Sequence, residues 1–247
     1  MILRLEALSF TTHGKTVLDG LTVTIADNSL TCLVGSNGAG KTTLLRILSG
    51  EISATSGRLL IGDADASRFS QREIARRVSI IPQDVRPPPY LTVSELVELG
   101  RFRPRGAPWQ RLSQQDRIAV NAGLGRCRAE GLAKRRVEEL SGGEQQRAWL
   151  AFGLAQEKGF LLLDETLDGL DVFAKRSFFE LLRQVASEGT GIVLTTHDLD
   201  LVADHADKVI VLSGGKVAYE GPPNSNLERC LSADGDGNPV ILPRRIL

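Results

Sequence analysis

The chain has 247 residues, 42% of them apolar and 24% charged, with 30 basic and 30 acidic side chains balancing to zero. This is the composition of a soluble globular domain that can bury its own core without disulfides. The neutral balance excludes a global field drawing nucleic acid or an acidic membrane surface. Cys32, Cys127 and Cys230 stand alone without C-x-x-C spacing, which argues against a disulfide framework or a Cys-rich zinc site and fits a reducing cytosol.

The opening "MILRLEALSF" lacks the basic-then-apolar layout of a signal peptide. No apolar run reaches the ~18 residues that a membrane-spanning helix needs. Any membrane process served by this chain is therefore expected to draw its membrane part from another protein. The first segments, "MILRLEALSF" and "LTVTIADNSLTCLVG", read as short strands. After a glycine-rich turn, "TTLLRILSG" carries apolar residues at helical spacing and stops at Gly50. "GRLLIGD" and "RRVSIIPQD" are further strand candidates.

From Pro87 the texture changes. Thr92 reads as a helix N-cap, with Glu95 three residues on completing a capping box and Leu91 and Leu96 spaced for a hydrophobic staple. Residues 87–157 are expected to form a helical, arginine-rich insertion. Strand-like runs return at "FLLLD", "GIVLTTH" and "KVIVLSGGKVAYEG", separated by helical stretches such as "AKRSFFELLRQVASEG". Strands alternating with helices predict an α/β fold with a mainly parallel sheet covered on both faces. One domain over residues 1–247 is expected: a core from 1–86 and 158–222, the helical subdomain 87–157, and an irregular tail at 223–247.

"GSNGAGKTT" fits the pattern G-x-x-x-x-G-K-[ST] between a strand and a helix. In such a loop Gly35, Ser36, Asn37, Gly38, Ala39 and Gly40 turn backbone N–H groups and a helix N-terminus toward phosphate oxygens. Lys41 adds a cation at the β- and γ-phosphates, the Thr42 hydroxyl is a Mg²⁺ ligand, and Thr43 continues the helix start.

"FLLLDETLDGLD" raises the complementary question of why an apolar strand ends in acids. A lone buried carboxylate costs several kcal/mol of desolvation, so these acids are expected where a cation or water meets the sheet. In open parallel sheets that place is the carboxyl ends of the strands, where a P-loop also sits. If the two strands are near neighbours, Asp164 is the metal-side acid and Glu165 orients and deprotonates the attacking water. Ser141 in "ELSGGEQQR" reads as an N-cap with Glu144 at N3. Gly142 and Gly143 beside the helix start also make an anion site, and both readings hold together.

"LSGGEQQR", with "GSNGAGKTT", "IIPQD", "LLLDE" and "LTTHD" in this order, resembles the ATP-binding cassette (ABC) family over residues 2–222. The resemblance implies a P-loop ATPase with an N-terminal antiparallel β subdomain and an inserted helical subdomain, hydrolysing ATP with Mg²⁺. It implies a head-to-tail dimer in which Ser141, Gly142 and Gly143 serve the partner's ATP and Asp171 lies at the dimer seam. Gln83 would be the Q-loop residue near Mg²⁺ and the attacking water, and His197 would contact the γ-phosphate and steady Glu165. On chemistry alone His197 reads instead as a helix cap, and Asp168 as a solvated acid.

Two features depart from the family. Thr166 and Leu167 stand where it usually has Pro-Thr, which removes a fixed φ and leaves the loop less preorganised. The family stacks adenine on an aromatic ring near the start; no Tyr stands there, and "FTTHGKTVL" offers His13 or Phe10 without the spacing choosing between them, His13 being taken. "LLRILSGEISATSGRLLIGD" and "LTVSELVELGR" resemble the branch powering uptake of iron-siderophores, haem or cobalamin. That branch works with a transmembrane permease and a substrate-binding protein, the ATPase being cytoplasmic and peripheral on the membrane's inner face. The segment after Gln83 would help form the groove for the permease, with Arg101, Arg103 and Arg105 either in that groove or on a solvated face. A non-transport ABC ATPase acting on nucleic acid, or a regulatory ATP-binding cassette, is the alternative; no nucleic-acid partner is expected.

Overall fold

The computed structural model describes residues 1–83, 89–101 and 112–223. Pro87, Arg103, Arg105, Cys230 and nearly all of the expected tail lie outside these residues. The elements in chain order begin with β1 (Ile2–Thr12), β2 (Lys15–Ala26), β3 (Leu30–Gly35) and α1 (Lys41–Leu48). Next come β4 (Ser56–Ile61), β5 (Ala64–Asp65), α2 (Gln71–Ala75) and β6 (Val78–Ile81). Three helices follow, α3 (Val93–Leu99), α4 (Gln114–Arg126) and α5 (Gly142–Ala155). The chain then returns through β7 (Phe160–Leu163), α6 (Val172–Ser187), β8 (Gly191–Thr195), α7 (Leu199–His205), β9 (Lys208–Ser213) and β10 (Lys216–Gly221).

The expected α/β architecture is present. Six strands form the main sheet in the order β10-β9-β3-β8-β7-β6, parallel except for the edge strand β10. A second, antiparallel sheet has the order β2-β1-β4-β5.

Burial on both faces explains the unbroken apolar runs. Along β7, Leu161 and Leu163 join the core on one side of the sheet, with Val93, Trp149 and Phe179. Phe160 and Leu162 join the core on the other side, with Leu44, Leu45 and the leucines of β1 and β2. Alternate side chains of a strand point to opposite faces, so a strand covered twice has no polar position until it reaches the sheet edge.

The described residues of the insertion are mainly helical, with α3 and α4 packed on α5. Thr92, Ser113 and Ser141 each begin a helix with both halves of a capping box in place. Arg101 lies neither in an open groove nor on a solvated face. Its side chain is 10% exposed and ties Asp116 (2.9 Å) and Glu157 (2.7 Å) to the Ala155 carbonyl (2.8 Å) at the end of α5. That clamp joins the ends of α3 and α5 to the start of α4, and so steadies the helix that carries Ser141.

Candidate functional site

The parallel strands deliver their carboxyl ends to one place. β8 lies between β3 and β7, and β6 flanks β7. The residues that follow β3, β6, β7 and β8 are therefore brought together: Lys41, Gln83, Glu165 and His197.

The loop from Gly35 to Gly40 needs glycine at both ends. A Cβ on Gly35 would sit 2.5 Å from the Leu212 carbonyl oxygen. Gly40 has φ 102°, and a Cβ there would lie 2.5 Å from Leu18 Cδ2. Ser36, Asn37 and Gly38 between them are exposed and Ala39 is buried. Gly40 offers α1 no side-chain cap, so the first-turn N–H groups are left for an outside acceptor. Thr42 is exposed in that turn and Thr43 is half-buried.

Lys41 is only 5% exposed. Its ammonium donates to the carbonyls of Gly35 (2.9 Å) and Ser36 (3.3 Å) and lies 3.5 Å from Glu165 Oε1. A buried cation is tolerated when paired and hydrogen-bonded in this way. Glu165 also accepts from Gln83 Nε2 at 2.7 Å and meets His197 Nε2 at 3.1 Å. A carboxylate only accepts, so this last contact puts the imidazole proton on Nε2. The 3.5 Å approach of Lys41 to the same nitrogen is then not a hydrogen bond. His197 does not cap α7, because Asp198 does.

Asp164 is 3% exposed. Its N–H donates to the Ile81 carbonyl at 3.0 Å, and its Oδ1 accepts from the Thr195 hydroxyl at 2.8 Å. Glu165 has φ 44°, a left-handed conformation costing roughly 1–2 kcal/mol for a residue with a Cβ. Thr195 accepts from the Glu165 N–H at 2.7 Å. Sequence reasoning missed Thr195; its signal was a hydroxyl at the end of an otherwise apolar strand, two residues before His197.

The break from Pro-Thr is compensated by packing. Leu167 is 2% exposed within the core around α5 and α6, and burial of a leucine contributes about 1.5–3 kcal/mol. The loop expected to be less preorganised is thus anchored by an apolar side chain. The Thr166 hydroxyl is buried without a hydrogen-bond partner among the described residues.

Ser141, Gly142 and Gly143 lie elsewhere, in a cleft of ≈ 300 Å³ that Asp171 also lines and Lys41, Gln83, Asp164, Glu165 and His197 do not. The Ser141 hydroxyl donates to Glu144 at 2.9 Å. Hydrogen bonds from Ser141 and the Arg135 guanidinium hold the Glu144 carboxyl below the usual range. Asp171 caps α6 through Ala174 N–H at 2.9 Å, and Asp168 is exposed. His13 occupies the exposed β1–β2 turn with φ 47°, followed by Gly14 at φ 74°; Phe10 packs half-buried on the core.

The fold and these residues define a phosphate-binding ATPase cassette. The ABC transporter family matches residues 18–168. The chain is 35% identical to a hemin import ATP-binding protein, HmuV, of Rhodococcus jostii (strain RHA1), over 98% of this chain and 86% of that protein. It is 34% identical to the ferric enterobactin transport ATP-binding protein FepC of Escherichia coli (strain K12), covering 94% and 90%. It is 37% identical to a cobalamin import ATP-binding protein, BtuD, of Halobacterium salinarum (strain ATCC 29341 / DSM 671 / R1), covering 92% and 56%.

Among solved structures, cbiO1 from Clostridium perfringens, part of the ABC transporter complex cbiONQ, superposes with TM-score 0.80 at 29% identity, covering 90% and 88%. The dimeric structure of MJ0796, a bacterial ABC transporter cassette, gives 0.74 at 26%, covering 90% and 99%. The chain belongs to the ABC transporter family, whose ATP-binding subunits are ATP hydrolases.

Proposed function

We propose that this chain powers uptake of an iron-siderophore, haem or cobalamin-like compound through a separate membrane permease, working as a dimer with Mg²⁺-ATP. The observation that carries its chemistry is the convergence of Lys41, Gln83 and His197 on Glu165. The cargo class rests on the relatives named above, and no helix among the described residues is long and apolar enough to cross a membrane. In this reading the ATPase sits on the inner face of the membrane through the permease, with a substrate-binding protein completing the system.

Mg²⁺ takes oxygen ligands and is held by one or two carboxylates together with substrate phosphates. The Asp164 carboxylate and the Thr42 hydroxyl suit it, with the Gln83 amide oxygen available once its NH₂ binds Glu165. The ion would neutralise charge on the β- and γ-phosphate oxygens. The residues from Gly35 to Thr43 cradle the phosphates, and Lys41 balances their charge. Glu165 accepts the proton of the attacking water, and His197 orients that carboxylate and meets the γ-phosphate. His13 faces adenine from the β1–β2 turn.

Ser141, Gly142 and Gly143 would bind the nucleotide held by the partner copy, since their cleft is separate from the P-loop of their own chain. The Ser141 hydroxyl then turns from Glu144 to a phosphate oxygen. Asp171 lies at the seam between the copies.

Loss of the base should cost on the order of 10²–10⁴-fold in turnover. Glu165→Gln is expected to bind ATP normally, hydrolyse it at most weakly and accumulate as a dimer. Turnover at the native rate in that variant would overturn the assignment.

A further inference from the structure

We propose that Thr195 is a positioning residue for ATP hydrolysis, its single hydroxyl locking the metal-side acid Asp164 and the backbone of the base Glu165 into one unit. This rests on the reading of Asp164 and Glu165 given above and assigns a role to a residue outside that machinery. A threonine hydroxyl has one proton to give and lone pairs to accept with, and here it both donates and accepts. The proton goes to Asp164 Oδ1 at 2.8 Å, with the Leu163 carbonyl a longer second acceptor at 3.4 Å. The lone pair takes the Glu165 N–H at 2.7 Å.

Three features make this more than ordinary strand-end satisfaction. Thr195 is fully buried, so water cannot replace its hydroxyl. The N–H it holds belongs to a residue at φ 44°, a conformation that persists only where its surroundings impose it. The residue after Glu165 is Thr166, so no proline ring fixes the chain there. Thr195 ends β8, the strand between β3 and β7 that also leads to His197. One rigid element thus sets the orientation of acid, base and histidine against the P-loop.

The decisive comparison uses full-length Thr195→Val and Thr195→Ser. Valine keeps the branched shape and loses the hydroxyl, while serine keeps the hydroxyl. Outer-sphere partners of metal-site groups are typically worth about 10–100-fold, so Thr195→Val is expected to lose about that much kcat with KM for ATP nearly unchanged. In nucleotide-free protein, amide hydrogen exchange at Glu165 should accelerate by about ten-fold or more once its acceptor is gone. Thr195→Ser should restore both readouts.

Native kcat in Thr195→Val, unaltered exchange at Glu165, or a loss that serine does not rescue would each overturn the proposal. Glu165→Gln is measured alongside. Native turnover there defeats the reading of the base, while the exchange result still decides whether Thr195 holds the loop.

Discussion

Gln83 and Glu165 are joined by a 2.7 Å hydrogen bond from the amide Nε2 to Oε2, across 82 positions of sequence. The pairing follows from register. β6 and β7 run parallel with Ile81 opposite Leu163, so the second residue beyond each strand reaches the same side of the sheet edge. Gln83 is the second residue beyond β6, so this bond ties the end of that strand to the base.

Gln83→Ala should therefore misplace Glu165 without disturbing the phosphate cradle. A side-chain hydrogen bond to a charged group contributes about 1.5–3 kcal/mol, and about 1.4 kcal/mol of barrier is ten-fold in rate. The expected outcome is a fall in kcat of roughly ten-fold or more, with ATP affinity preserved. Equilibrium binding and steady-state turnover, measured on the same preparation, check it. A variant that loses binding but keeps kcat would contradict the geometry.

Leu167 and Thr166 should respond with opposite signs. Leu167→Ala opens a cavity in the core, and such truncations cost about 2–5 kcal/mol. It should lower the denaturant midpoint and also slow turnover, because the loop that holds Glu165 loses its anchor. The Thr166 hydroxyl has no partner among the described residues, so replacing it by an apolar group of the same shape is nearly neutral or stabilising. Thr166→Val is expected to keep or raise the midpoint in the same unfolding experiment.

Much of this was legible in the sequence because the signals were local. The P-loop spacing, the capping boxes at Thr92 and Ser141, and the acids closing an apolar strand each follow from residues a few positions apart. What needed the structure was relational. Thr195 lies in an apolar run, and only the β7–β8 pairing shows that its hydroxyl meets Asp164. Arg101 read as part of a charged stretch, yet the Asp116 carboxylate and Ala155 carbonyl that bury it lie 15 and 54 residues away. Leu167 looked like a weakening of its loop until its burial made it an anchor.

Phe173 is 87% exposed and Val172 is 70% exposed, between Asp171 and Ala174, which both line the Ser141 cleft. In the proposed dimer this apolar pair borders the contact with the second copy. Burying such a side chain contributes about 1.5–3 kcal/mol, and ten-fold in affinity is about 1.4 kcal/mol. Phe173→Ser in a Glu165→Gln background should weaken ATP-dependent dimerisation by about ten-fold or more, leaving nucleotide binding by the monomer intact. Sedimentation across a concentration series reads this directly, and an unchanged dimer would remove the pair from the interface.

Asp116 gives the helical insertion a pH dependence of its own. Hydrogen bonds from the Ser113 hydroxyl and then from Arg101 lower its carboxyl from 3.8 to about 2. The unfolded chain binds the proton more readily than the folded one, so stability rises with pH through the window from about 2 to about 4. The contribution is complete above that window and disappears as pH falls through it. Asp116→Asn should accordingly be less stable than the native chain near about pH 5, with the gap narrowing toward about pH 2. Denaturant unfolding of both proteins across that range tests this, because acids common to the two cancel in the comparison. A gap independent of pH would mean that Asp116 acts through packing alone. A closing gap assigns the effect to its charge, held first by the Ser113 hydroxyl at the start of α4 and then by Arg101.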